Sequence, residues 1–170
     1  ILDKTVPDSA YREHKGLTWL LDYYKYVKED GQAYSAKDDY YGYVPGKDGS
    51  HTVRELGASG DDDLIYIADT YGVYKNDLTG SNIEGDRSDR IYGGLQMADV
   101  RQIKNAIYKG TSLIAEFNTL GSPTDKAARE EMYDILGVRW SGWIGRYFAD
   151  LTPGVEVPDW AVRNYEKQTG

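Results

Sequence analysis

Apolar and polar positions alternate along this chain with two periods. Over 11–28, Leu17, Leu20, Leu21, Tyr24 and Val27 recur at three- and four-residue spacing. That spacing predicts an amphipathic helix, capped by Asp8 or Ser9 and stopped by Gly31. The period returns over 98–108, with Val100, Ile103, Ile107 and Tyr108 on one face and Gly110 as the stop. It returns again after Asp125, with Ala128, Met132, Ile135 and Leu136 closed by Gly137. A last helix is predicted over 158–167.

Between the helical stretches lie short apolar runs. Leu64-Ile65-Tyr66-Ile67-Ala68 gives way to Asp69-Thr70-Tyr71, and Leu113-Ile114-Ala115 to Glu116-Phe117-Asn118-Thr119. Runs of this length, closed by turn chemistry, read as buried strands of a parallel sheet. Strands are expected over 1–6, 39–44, 63–68, 112–117 and 138–143. The stretch 46–62 reads as loop, with at most one helical turn near 53–56. The stretch 75–94 carries Gly80, Gly85, Gly93 and Gly94 and reads as a long loop, mobile or ordered only by contact with the pocket or another chain.

The order β-α-β-loop-β-α-β-α-β implies right-handed crossovers and a mostly parallel sheet covered on both faces. The expected fold is one three-layer α/β domain of flavodoxin-like type over 1–170. Because Ile1-Leu2-Asp3 reads as the end of a strand, the chain is also expected to be a fragment of a longer protein.

In open α/β sheets, ligands bind just beyond the carboxyl ends of the strands. This places Lys4, His14, Asp69, Tyr71, Glu116 and Asn118 at one edge. Asp69, Glu116 and His14 are the catalytic candidates; Lys4, Tyr71, Asn118 and Arg146 are the ligand-binding candidates. Each has a plainer reading. Asp69 can close an Asx-turn before Gly72. Glu116 can pair with Lys4 or Arg146. His14 can be a packed side chain, and His51 a solvated one. The stretch Trp140-Ser141-Gly142-Trp143-Ile144-Gly145-Arg146-Tyr147 is either a core strand or a rim facing a ligand. Gly93-Gly94 could cradle an anion.

Composition narrows the chemistry. Tyrosine is abundant, at 16 against 4 Trp and 2 Phe. A ring with a polar tip suits half-buried walls and wet binding surfaces, including sugar-stacking ones. The net charge of −8 and pI near 4.8 argue against a nucleic-acid partner. No run approaches the ~18 apolar residues of a membrane span. There is no Cys, hence no thiolate ligand or cysteine nucleophile. With no G-x-G-x-x-G, P-loop or H-E-x-x-H, no metal or cofactor is expected. No compartment is fixed.

The unit KNAIYKGTSLIAEFNTLGSPT resembles the helix–Gly–strand–turn of class I glutamine amidotransferase-like domains. Trehalose-utilisation-type proteins and the trimerisation domain of some β-galactosidases are similar members without amidotransferase chemistry. The resemblance implies the fold and a pocket near the nucleophile elbow. It departs from active members where the elbow reads Ala115-Glu116-Phe117-Asn118, with no Cys and no G-x-C-x-G. The family's Cys-His-Glu triad therefore does not carry over, and no glutaminase activity is expected.

Two functions remain. The preferred one is a non-catalytic amidotransferase-like domain that binds a polar small molecule, carbohydrate among them, or a protein partner such as other domains of its parent protein. The alternative is a hydrolase acting on glycans with Asp69 and Glu116 as paired carboxylates. The hydrolase needs the two carboxylates convergent across an open cleft at ~5–10 Å. The binding domain leaves each tied to Lys, Arg or backbone donors.

Overall fold

The computed structural model describes residues 1–57, 62–79, 88–116, 118–143, 145–154 and 157–169. Seven strands and four helices follow in the order β1 (Leu2–Asp3), α1 (Arg12–Tyr23), β2 (Tyr41–Pro45), β3 (His51–Arg54), β4 (Leu64–Asp69), β5 (Val73–Tyr74), β6 (Arg90–Tyr92), α2 (Met97–Tyr108), β7 (Ser112–Ala115), α3 (Lys126–Leu136) and α4 (Asp159–Thr169). The central sheet has the order β3-β2-β1-β4-β7. Strands β2, β1, β4 and β7 are parallel, and β3 adds to β2 antiparallel. The mostly parallel α/β sheet expected from the sequence is present.

The core lies on one face of this sheet. Leu2, Ile65 and Ile67 pack there against Val100, Ile103 and Ala106 of α2 and Ala128 and Met132 of α3. Fully burying side chains of this size stabilises by about 1.5–3 kcal/mol each. Helix α2 begins at a capping box in which Gln96 and Asp99 satisfy each other's backbone amides. Helix α3 ends at Gly137 in the left-handed conformation.

The other face carries α1, which docks differently. Its buried side chains are His14 and Thr18, not leucines. The leucines divide: Leu17 and Leu21 are half-buried, while Leu20, Tyr24 and Val27 face solvent. The periodicity is real, but its apolar stripe does not face the sheet. The N-cap is Tyr11 in a left-handed conformation; Asp8 instead accepts from the Ala10 amide at 2.7 Å. The helix stops at Tyr23 because Lys25 adopts φ 60°, and Val27 then bridges Ala33 around Gly31.

Three further elements depart from expectation. Residues 51–54 form strand β3, paired with β2 from Gly42↔Arg54 to Pro45↔His51, where a loop was expected. No strand forms over 138–143. Trp140 Nε1 donates to the Trp143 carbonyl at 3.1 Å, and Gly142 turns at φ 87°, so this stretch closes on itself and leaves β7 as a sheet edge. Within 75–94, Lys75–Thr79 is a 3-10 turn, and β6 pairs with β5, just before this stretch, in a second, antiparallel sheet. Residues 80–87 of that expected loop lie outside the described residues.

Candidate functional site

The chain runs β1-α1-β2 in one direction across the sheet and β4-α2-β7 in the other. The reversal falls between β1 and β4, the switch point at which open α/β sheets bind ligands. Lys4, Asp69 and Tyr71 lie there. Glu116 and Asn118 follow β7 one strand further along, and His14 stands in the first turns of α1. All six share the carboxyl edge. Arg146 belongs to the segment before α4, with its guanidinium 5.0 Å from the Phe148 ring centroid. There it helps line an open depression with Tyr147, Asp150 and Thr152.

A bulge shapes the switch point. Leu2 is opposite Ile67, but Asp3 is opposite Asp69, so Ala68 is an extra residue in β4. It shifts the alternation by one and turns Asp69 to the side of Asp3 and α1, a usual effect of bulges near sites.

The three residues that leave β1 each serve a different neighbour. Asp3 Oδ2 lies 2.6 Å from His14 Nδ1, both side chains being fully buried. His14 Nε2 faces the Ala36 carbonyl at 2.7 Å. A carbonyl only accepts, so Nε2 carries a hydrogen, and the short Nδ1–Asp3 contact needs another proton between the two atoms. The imidazole is further held between Tyr11 and Tyr40, with ring centroids 5.9 and 4.5 Å away. Lys4, one position on, points the other way. Its Nζ makes a 2.6 Å salt bridge with Asp99 at the start of α2 and lies 5.2 Å from the Tyr92 ring centroid. Burial raises the Tyr92 phenol's pKa, and the charges of Asp99 and Glu55 add to the shift. Thr5 donates through Oγ1 to Asp69 Oδ1 at 2.9 Å and accepts from the Gly72 amide at 2.8 Å.

Asp69 is 4% exposed. Its Oδ1 also accepts from the Tyr71 amide at 2.6 Å, which is the Asx-turn geometry. Burial pushes its pKa up. The Tyr71 amide and the Thr5 hydroxyl pull it back, and Glu13 and Asp3 push in the same direction as burial. Glu116 is exposed and hydrogen-bonds the Tyr66 hydroxyl. Burial first, and then that carboxylate, push the Tyr66 phenol up to about 12. Lys4 pairs with Asp99 and not with Glu116.

Backbone contacts fix the loops around these groups. Asn118 sits at φ 61°, and its carbonyl accepts from Thr70 Oγ1 at 3.0 Å. The Gly94 amide donates to the Thr70 carbonyl at 2.7 Å, so this amide of the glycine pair is committed to the protein and not offered to an anion. What remains open to solvent is aromatic and charged. Tyr71, 43% exposed, lies 4.9 Å from the ring of Tyr74. The Arg12 guanidinium, almost fully exposed, pairs with Glu13 at the start of α1, and the charges of both act on the Asp69 carboxyl. His51, on β3, stacks on Tyr43 at 4.6 Å.

Asp3, Thr5, Asp99 and the bulge at Ala68 are absent from the sequence reading. Asp3-Lys4-Thr5 carries the same change from apolar to polar that marks Asp69 and Glu116. Reading 1–6 as one strand conceals it. Asp99 becomes legible only once α2 is placed over the end of β1. Among the described residues, no group of three or more His, Asp or Glu side chains lies together as a metal site would. No helix there is long and apolar enough to cross a membrane. No family model matches the chain, and no curated protein or solved structure matches it.

Proposed function

We propose that this chain is a flavodoxin-like α/β domain, akin to non-catalytic amidotransferase-like domains, that binds a polar small molecule at the carboxyl edge of β1 and β4. The parallel strands run β2-β1-β4-β7, which matches the first four places of the flavodoxin-like order. Carbohydrate is the class that fits the surface best. The observation that carries this reading is the Tyr71–Tyr74 ring pair next to Asp69 at the switch point, where the charges of Arg12 and Glu13 also act. The exposed Tyr71 and the half-buried Tyr74 offer an apolar face to sugar C–H groups and a hydroxyl to their oxygens. A guanidinium and a carboxylate supply directional bonds to the same hydroxyls.

The glycan hydrolase reading gains less. Its acid–base pair must face one cleft. Asp69 is instead closed off by Thr5 and Tyr71, and Glu116 is engaged with Tyr66. The missing Cys removes the thiolate nucleophile on which the Cys-His-Glu amidotransferase triad depends.

The test is nuclear magnetic resonance titration with a panel of neutral and acidic mono- and oligosaccharides. Binding is expected to shift resonances of Arg12, Tyr71, Tyr74 and Glu116. Tyr71→Ala should weaken binding by roughly tenfold or more, the scale of one lost aromatic anchor, with little change in melting temperature. A panel that moves none of these resonances would overturn carbohydrate binding here. Ammonia released from glutamine above a heat-treated control would overturn the non-catalytic assignment.

A further inference from the structure

Helix α1 is turned inside out relative to an ordinary surface helix. Its inward positions are His14 and Thr18, with Leu17 and Leu21 half-buried. Its outward positions are Gly16, Trp19, Leu20 and Tyr23, spaced i, i+3, i+4 and i+7. Trp19 and Tyr23 are each 61% exposed, and exposed Tyr24, Tyr26 and Val27 continue the patch past the helix end. An amphipathic surface helix places polar residues on that side. The Asp3–His14–Ala36 hydrogen bonds explain how α1 holds to the sheet without its apolar stripe. They leave the stripe itself without a role in the monomer.

We propose that the outer face of α1 is a dimer interface on which α1 of a second copy of this chain packs antiparallel. The area supports this occupant. With aromatic side chains of ~150–250 Å² each, the patch offers on the order of 600 Å² per copy. That is the top of the range of about 300–600 Å² for the largest apolar patch on a monomer, the size at which such patches are often functional. Two such patches face to face bury about 1,200 Å², the lower end for specific complexes.

The stripe is also complementary to itself. In an isologous pair, a two-fold axis crossing the middle of α1 sets Trp19 of one copy against Gly16 of the other. A Cβ built on Gly16 meets nothing within 4 Å in its own chain, so the space above it is open to a large ring. The Trp19 ring is already stacked on Tyr23 at 5.3 Å and 20°, which lowers the entropy lost on docking. The same axis brings the first-turn cation Lys15 toward Asp22 of the other copy. A parallel pair would oppose Arg12 to Arg12 and Trp19 to Trp19, with like charges together and no hole for either ring.

Sedimentation of the full chain over a concentration series reads the association, and cysteine pairing reads its geometry. The chain has no Cys of its own, so introduced thiols report cleanly. A monomer–dimer equilibrium is expected. Trp19→Asp and Gly16→Arg should each weaken it by roughly thirtyfold or more, the effect of losing a hot spot. Both positions are exposed, so circular dichroism and melting temperature should stay near those of the parent chain. On mixing Gly16→Cys with Trp19→Cys chains, the mixed disulfide is expected to outrun both self-pairings. A chain that stays monomeric up to about 0.3 mM has no association tighter than that and overturns the proposal. So does a dimer that survives both surface variants, an assembly larger than a dimer, or a predominance of self-paired disulfides.

Discussion

The carboxyl of Asp69 lies out of water with two donors on one oxygen, and its pKa is raised, chiefly by burial. A carboxyl whose pKa is higher in the folded than in the unfolded chain favours the fold when protonated. That contribution is complete below the ordinary value of 3.8 and is lost as pH rises through the raised value. An amide at this position keeps an oxygen that accepts from both Thr5 and Tyr71 and never ionises. Asp69→Asn should therefore gain stability relative to the parent chain as pH climbs from the ordinary carboxyl range into neutrality. Urea midpoints of both proteins across that interval measure it. A parent chain that gains on the variant over the same interval would show that the ionised carboxylate is the form the fold prefers.

At the scale of elements, the β5–β6 pair is closed at its base by backbone meeting backbone. Gly72 adopts φ +102°, and a Cβ there would lie 2.1 Å from the Tyr92 carbonyl oxygen and 2.6 Å from Gly93 Cα. Gly31 also has positive φ, at +79°, but nothing within 4 Å of its Cβ position. Gly31→Ala should cost only the left-handed penalty, about 1–2 kcal/mol. Gly72→Ala should cost that and an overpacking term of about 1–3 kcal/mol more, read as the difference between the two in chemical denaturation. Equal losses would mean that the pair shifts without cost. The elements legible in the sequence are those fixed by local chemistry. Ile65 and Ile67 with the polar stop at Asp69 mark β4, and Gly110 and Gly137 mark the ends of α2 and α3. What escapes is set by partners. His51–Arg54 is largely exposed and becomes a strand only because β2 has a free edge. Residues 138–143 carry strand-like side chains but pair with nothing. The periodicity of α1 is plain, yet period alone does not say which side faces the sheet. At the site, the carboxyl-edge placement of Lys4, Asp69 and Glu116 was legible, because it follows from strand direction. Their partners were not, because Lys4 bonds a residue 95 positions away and the Ala68 bulge has no signature in the sequence.

For the whole molecule, the two faces of the sheet are built from different forces, and this sets how the protein opens. One face is an apolar core shared by β1, β4, α2 and α3. The other is α1, held by a few buried hydrogen bonds, the packing of His14 on Tyr40 and two half-buried leucines, with its largest side chains outside. Apolar burial is cooperative across many residues, whereas α1 can lift away by breaking a local set of contacts. In dilute protein, where any self-association through α1 is suppressed, α1 amides are expected to exchange through an opening roughly 2 kcal/mol below the global one that exposes β4 and α2. A core truncation separates the two routes. Met132, fully buried against α2 and the sheet, makes no part of the α1 contact. Met132→Ala should lower global stability by about 2–5 kcal/mol. Exchange at Ile67 and Ile103 should then accelerate by the corresponding factor. Exchange within α1 should stay as it was, as long as its own opening remains the easier route, because the contacts broken there are untouched. Native-state hydrogen exchange read by mass spectrometry resolves the two sets of peptides. Acceleration of the α1 amides in step with those of β4 would show that α1 unfolds only with the core, and that its polar anchoring is as strong as the apolar packing on the opposite face.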